Sequence, residues 1–157
     1  LITGAAGLIG GILRERLATG YAVTTLDVRP LEGDHLQSSM TDIDAVQPAF
    51  HGKDVVVDLA AHAPSATPWD QVYENNVPST FNAFEAARRA GVGRLIFASS
   101  NHATGMYEHD QPYSEIVAGN YEGLDPSEIP LIDTRMPVRP DGPYGIVKAF
   151  GAATGSY

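Results

Sequence analysis

The sequence has no cysteine. That excludes a disulfide framework and any cysteine-based metal or redox site, and it accords with a cytoplasmic location. It lacks an apolar run near the ~20 residues needed to cross a bilayer, and no signal peptide is visible. It is poor in cations: 10 Lys and Arg stand against 19 Asp and Glu, a formal charge of −9. Such a surface does not attract nucleic acid or anionic membrane, so neither is expected as a partner. It keeps a protein soluble and, in the extreme, signals a salt-rich environment. Repeats, coiled-coil heptads and low-complexity tracts are absent too. The five histidines (His35, His51, His62, His102 and His109) show no metal-ligand spacing, and no metal is expected.

What is present is an ordinary globular composition, 43% hydrophobic and 18% charged over 157 residues, enough for one domain with a core. The chain opens on Leu1 inside an apolar run, which suggests a fragment of a longer protein. Leu1-Ile2-Thr3 reads as the end of a buried strand. A helix is expected from Leu8 to Thr19, with Leu8, Ile12, Leu13 and Leu17 on its inner face, stopped by Gly20. A strand from Ala22 to Leu26 closes on Asp27, a short strand follows near Leu36 to Ser38, and a helix runs to Phe50, capped by Thr41 or Asp42. The β-branched run from Val55 to Ala60 marks a central parallel strand. A loop from Ala61 to Pro68 leads into a long helix from Trp69 to Ala90, in which Val77, Phe81 and Phe84 are expected in the core; Trp69 is read as packing. Arg94 to Ala98 forms another buried strand. From Ala103 to Arg139 periodicity fails, and seven acids face two arginines, Arg135 and Arg139. A loop that long inside a compact domain is usually functional or disordered. Pro143 then starts a last helix, which carries Tyr144 and Lys148.

Strands alternating with helices predict an α/β fold: a Rossmann-like, doubly wound parallel sheet, ending after the Tyr144 helix. Its ligand crevice lies at the carboxyl ends of the strands. Gly4, Gly7 and Gly10, spaced G-x-x-G-x-x-G between a strand and a helix, are a variant of the dinucleotide fingerprint. The first permits a tight turn, the second lets backbone approach a pyrophosphate, and the third lets helix and strand pack closely. Asp27, 17 positions beyond Gly10, would accept bonds from both ribose hydroxyls and repel a 2′-phosphate, favouring NAD; Arg29 softens that preference. Tyr144 and Lys148, four apart, share a helix face. An ammonium there would lower the phenol's pKa toward the range of a general base. Ser100, at a strand end, could hold the reacting oxygen.

Together Thr3 to Gly10, Asp27, Leu59-Ala60-Ala61, Asn76, Phe97 to Ser100, Tyr144 and Lys148 resemble the extended short-chain dehydrogenases/reductases, of the NAD-dependent epimerase/dehydratase type. Within them, Ser99 to His102 and Arg139-Pro140-Asp141-Gly142 before Tyr144 are most similar to uronate dehydrogenases. The resemblance implies an NAD-dependent oxidation of a uronate or related hexose at its anomeric carbon, with hexose or hexose phosphate left open as substrates and with Ser100, Tyr144 and Lys148 catalytic. It implies cofactor contacts from Gly4, Ala6, Gly7, Leu8, Ile9, Gly10, Asp27, Leu59, Ala60, Ala61, Asn76, Tyr144 and Lys148. It implies sugar contacts from Asn101, His102 and Ser65, and a homodimer in the full-length protein. Three departures stand out. Ser39 replaces a frequent Asp that bonds adenine, and Asp42 could substitute for it. Asp58 replaces a frequent His. The 103–139 segment is longer than in uronate dehydrogenases. Two other functions stay open: a nucleotide-sugar epimerase or dehydratase with tightly held NAD, and a non-catalytic NAD-binding protein.

Overall fold

The computed structural model describes residues 1–64 and 66–156. Five parallel strands form one sheet in the order β3-β2-β1-β4-β5: β1 (Ile2–Thr3), β2 (Thr25–Asp27), β3 (His35–Gln37), β4 (Val55–Asp58) and β5 (Arg94–Phe97). This is the doubly wound order: the chain moves outward from β1 through β2 to β3, then crosses back to β4. The reversal opens a crevice beyond the carboxyl ends of β1 and β4. The helices are α1 (Leu8–Leu17), α2 (Ile43–Phe50), α3 (Trp69–Ala90), α4 (Tyr113–Ala118) and α5 (Pro143–Thr154).

The strands are shorter than their apolar runs. β1 contributes only Ile2 and Thr3, which pair with Thr25 and Leu26 on one side and Val57 and Asp58 on the other. β2 starts at Thr25, so Ala22 and Val23 lie before it, and β4 ends at Asp58 instead of Ala60. The third strand begins at His35, because its register against β2 starts at Thr25.

The core lies between the sheet and the α2–α3 layer. Phe50, Val46, Val56, Ala83 and Ala86 are fully enclosed, with Leu26, Met40 and Ala87 around them. On α3 the buried stripe is Val72, Asn76, Ser79, Thr80, Ala83 and Ala87, mostly small side chains that let the helix lie close to its neighbours. Val77 and Phe81, expected inside, are not in it. Val77 is half-buried and Phe81 exposed, on a shallow groove shared with Tyr73, Pro78 and Phe150 of α5. Phe84 packs its ring 5.6 Å from Phe97. Trp69 is half-exposed and leans on Tyr73.

The first helix also departs from its pattern. Leu8 is 83% exposed, Ile12 is exposed, and Gly10 is the only fully buried residue of α1. The helix docks through that glycine: a Cβ there would stand 2.4 Å from the Gly4 carbonyl oxygen. Contact at one small residue decides the orientation, and the larger apolar groups stay outside.

The aperiodic segment is folded. It contains two 3-10 turns, Asn101–Ala103 and Gly105–His109, followed by α4. Its two ends are clipped together: Met106 N–H donates to the Arg139 carbonyl (2.9 Å), Arg139 N–H to that of Ala103 (3.0 Å), and Asp141 N–H to that of His102 (3.3 Å). The Arg139 guanidinium stacks on the Tyr107 ring and pairs with Asp110. These bonds need partners far apart in sequence, so local periodicity carries no trace of them.

Truncating Phe50 to alanine removes the largest enclosed side chain. Phe50→Ala should lower the unfolding free energy by about 3–5 kcal/mol in a denaturant titration.

Candidate active site

The ends of all five strands and residues of α1, α3 and α5 meet at a cleft of about 530 Å³. Gly4 turns the chain with φ +63°, and a Cβ on it would meet the Leu59 carbonyl at 2.7 Å. Glycine is required there both by the left-handed backbone and by the close approach. Gly7 caps α1 in extended conformation with no side-chain bond, and the first turn holds no acid. The N–H groups at that end are thus left for an external anion. Gly4, Gly7, Leu8, Ile9 and Gly10 line this end of the cleft. Ala6 does not line it; its N–H donates to the Asp27 carboxylate (2.9 Å).

Asp27 ends β2, nearly buried. Burial pushes its carboxyl up, but the backbone N–H groups of Arg29 and Ala6 and the Arg29 guanidinium outweigh that and hold it below the ordinary value. It is a fixed negative charge at the cleft wall. Beyond it lie Ser39 and Thr41, bonded to each other at 2.8 Å. Asp42 does not replace the missing acid, since its carboxylate caps α2 by accepting from Ala45 N–H (3.0 Å).

The floor is the loop after β4. Thr3 Oγ1 donates to Asp58 Oδ1 (2.5 Å) and accepts from the N–H groups of Leu59 and Ala60 (3.2 and 3.3 Å). Leu59, Ala60 and Ala61 line the cleft, and so does Asn76. The Asn76 amide clamps the loop by accepting from His62 N–H (2.7 Å) and donating to the His62 carbonyl (3.0 Å). Ser65, expected to touch a sugar, lies outside the described residues.

Tyr144 and Lys148 line the far side of the cleft, one turn apart on α5. Lys148 is 5% exposed; its Nζ donates to the Ala98 carbonyl (2.6 Å) and lies over the Phe97 ring. It stands 5.4 Å from the centre of the Tyr144 ring. The expected lowering of the phenol pKa is absent from this arrangement. Burial pushes Tyr144 up, and no ammonium opposes it, because Lys148 is turned to Ala98. Burial also pushes Lys148 down, while Asp58 pulls it back up. Asp58 itself is 1% exposed, and burial raises it to about 6 against the pull of Thr3, Lys148 and Ala60.

Ser99 lines the cleft. Ser100, one residue on, starts the 3-10 turn: its Oγ accepts from His102 N–H (3.2 Å) and donates to Asn101 Oδ1 (3.3 Å). The His102 ring meets Tyr144 edge-on, 5.9 Å between centres. Its Nδ1 bonds Asp141 Oδ2 at 2.6 Å. His102 is thus beside Tyr144, and Ser100, Asn101 and His102 are not among the residues that line the cleft. Two acids were missed as site residues. In the sequence Asp58 stands out only as a replacement, and Asp141 only as part of a motif. Charge inside an apolar β-run was a usable signal for Asp58; for Asp141, across the long segment, there was none. Among the described residues no cluster of three His, Asp or Glu could hold a metal.

Residues 1–154 match the NAD dependent epimerase/dehydratase family. The chain belongs to that family. It is 41% identical to the L-arabinose 1-dehydrogenase (NAD(P)(+)) of Haloferax volcanii, over 99% of this chain and 59% of that protein. It is 34% identical to the NAD-dependent glucose-6-phosphate dehydrogenase of the same organism, over 100% and 61%. The crystal structure of uronate dehydrogenase from Agrobacterium tumefaciens superposes with a TM-score of 0.74 at 32% identity, over 97% of this chain and 52% of that one. The chain thus spans about half to three fifths of the length of these relatives.

Asp58 sets a pH dependence with a definite sign. The fold favours its neutral form, so folding takes up a proton between about pH 4 and 6. Its contribution to stability falls across that window and is flat above it. Asp58→Asn removes the effect. The stability of the variant relative to the wild type should be greater at pH 7.5 than at pH 4.5 by about 2 kcal/mol in denaturant titrations. A pH-independent difference would mean that the carboxyl is ionised throughout.

Proposed function

We propose that this chain is the cofactor-binding part of an NAD-dependent sugar dehydrogenase that oxidises the anomeric carbon of a sugar. One juxtaposition carries the reading. The bare helix end at Gly7, the fixed charge of Asp27 and the Tyr144–Lys148 pair all border one cleft. The residues fit a dinucleotide. Gly4 and Gly10 leave no room for a side chain, Gly7 leaves its helix end open, and Asp27 offers carboxylate oxygens at the ribose position. NAD would be held by these groups with Leu59 to Ala61 and Asn76, and when bound it supplies the hydride acceptor.

The protein's own part is proton transfer and orientation. Tyr144 takes the proton of the anomeric hydroxyl as the carbon–hydrogen bond is broken, which leaves a lactone. Burial opposes the phenolate that this requires. The charge able to offset it is the Lys148 ammonium, one helical turn away. Ser100, Asn101 and His102 orient the sugar beside Tyr144. The arabinose and glucose-6-phosphate relatives, with the uronate dehydrogenase structure, support a sugar substrate. The exposed side chains of Tyr73, Phe81 and Phe150 support pairing of two copies into a homodimer, and the lack of cysteine supports a cytoplasmic setting.

The test is to mix the whole protein and NAD with L-arabinose, galacturonate, glucuronate or glucose 6-phosphate and follow NADH absorbance. One of these sugars should be oxidised. Tyr144→Phe should then cut kcat by about 10²–10⁴ while NAD binding, followed by fluorescence quenching, persists. Tightly bound NAD with no net NADH release on any sugar would instead favour an epimerase or dehydratase.

A further inference from the structure

We propose that Asp141 is a positioning residue. It holds the His102 imidazole with Nδ1 as donor, so that Nε2 presents a lone pair to a neutral sugar hydroxyl beside Tyr144. The role rests on reading His102 as a sugar contact. A carboxylate can only accept, so a neutral imidazole bonded to it at 2.6 Å through Nδ1 carries its proton on that nitrogen. In the neutral ring Nε2 is then an acceptor only, whereas in the imidazolium, which the same carboxylate would hold, it is a donor. Among the described residues nothing is bonded to it. An acceptor cannot bond a carboxylate or phosphate oxygen, which have no proton to give. The group that Nε2 of the neutral ring reads on the substrate is a hydroxyl, not the acid of a uronate or the phosphate of a sugar phosphate.

The fold keeps space for this pair. A Cβ on Gly105 would stand 2.1 Å from Asp141 Oδ2, and one on Gly145 would stand 2.1 Å from the His102 carbonyl and 3.2 Å from Asp141 Oδ1. Two glycines therefore form the cradle of one carboxylate. The backbone adds the Asp141 N–H bond to the His102 carbonyl and the Ser100 cap on His102 N–H. A bond between side chains that remain 31% and 27% exposed contributes little to stability. Stability alone does not explain so much built space. It fixes a ring orientation, as the outer partners of functional histidines do.

The experiment uses the whole protein with 15N-labelled histidine, and His102→Gln assigns the resonance. Long-range 1H–15N spectra should show the wild-type His102 protonated on Nδ1 and bare on Nε2. Asp141→Asn should shift His102 toward the Nε2–H form. It should raise KM for the oxidised sugar about tenfold, with kcat changed far less and NAD affinity unchanged. Gly105→Ala keeps the carboxylate but displaces it, and should reproduce both effects, which covers the case in which Asp141→Asn fails to fold. A wild-type His102 protonated on Nε2, or variants with unchanged tautomer and KM, would overturn the proposal. A correct tautomer in a protein that oxidises no sugar would overturn the dehydrogenase reading, and the substrate role of the dyad with it, but not the dyad.

Discussion

The hydroxyl of Thr3 is the junction on which the rest of the site depends. It lies where β1 and β4 part, donates to Asp58, and accepts from two successive N–H groups of the loop that follows β4. Those bonds tie β1 to the loop beyond the last paired residue of β4. They set the depth at which the loop leaves the sheet, and so the gap into which Gly4 must turn. The glycine turn, the docking of α1 through Gly10 and the clamp of Asn76 on His62 all follow from where that loop runs.

Burial, more than charge pairing, governs the ionisable groups at the far side of the cleft. Tyr144 is pushed up, Lys148 down and Asp58 up, and each shift has desolvation as its largest cause. Charges act against that background. Asp58 keeps the neighbouring ammonium from losing more of its proton affinity, and the ammonium tempers Asp58 in return. Here Lys148 is tied to Ala98, so its charge is spent on the sheet and not on the phenol. The proton abstraction proposed for Tyr144 therefore depends on freeing that charge, and so on the position of one long side chain.

The strand–turn–helix rhythm was legible because it is local. Glycine spacing, Asp27 at a strand end, Pro143 opening a helix and the bounds of α3 are all written within a few residues of where they act. What failed depended on distance or on size. Leu8 and Ile12 have helical periodicity, but a single glycine decides which way α1 faces. Phe81 has the spacing of a core residue, yet alanines take the inner stripe because they allow closer approach. The cofactor half of the candidate site is scattered along the chain, but each piece carries its own local signal, a glycine spacing or an acid at a strand end; the bond between His102 and Asp141 is assembled by a clip across the chain and has no such signal.

That clip divides labour along the chain. Residues 102–106 and 139–141 hold each other, so the segment between them begins and ends at one place. The entropic cost of a loop grows only with the logarithm of its length, about 0.6 kcal/mol per doubling. A segment pinned at its base can lengthen, shorten or change composition without moving the groups at the base. The place of His102 and Asp141 is thus held by the clip itself and not by what the intervening segment contains.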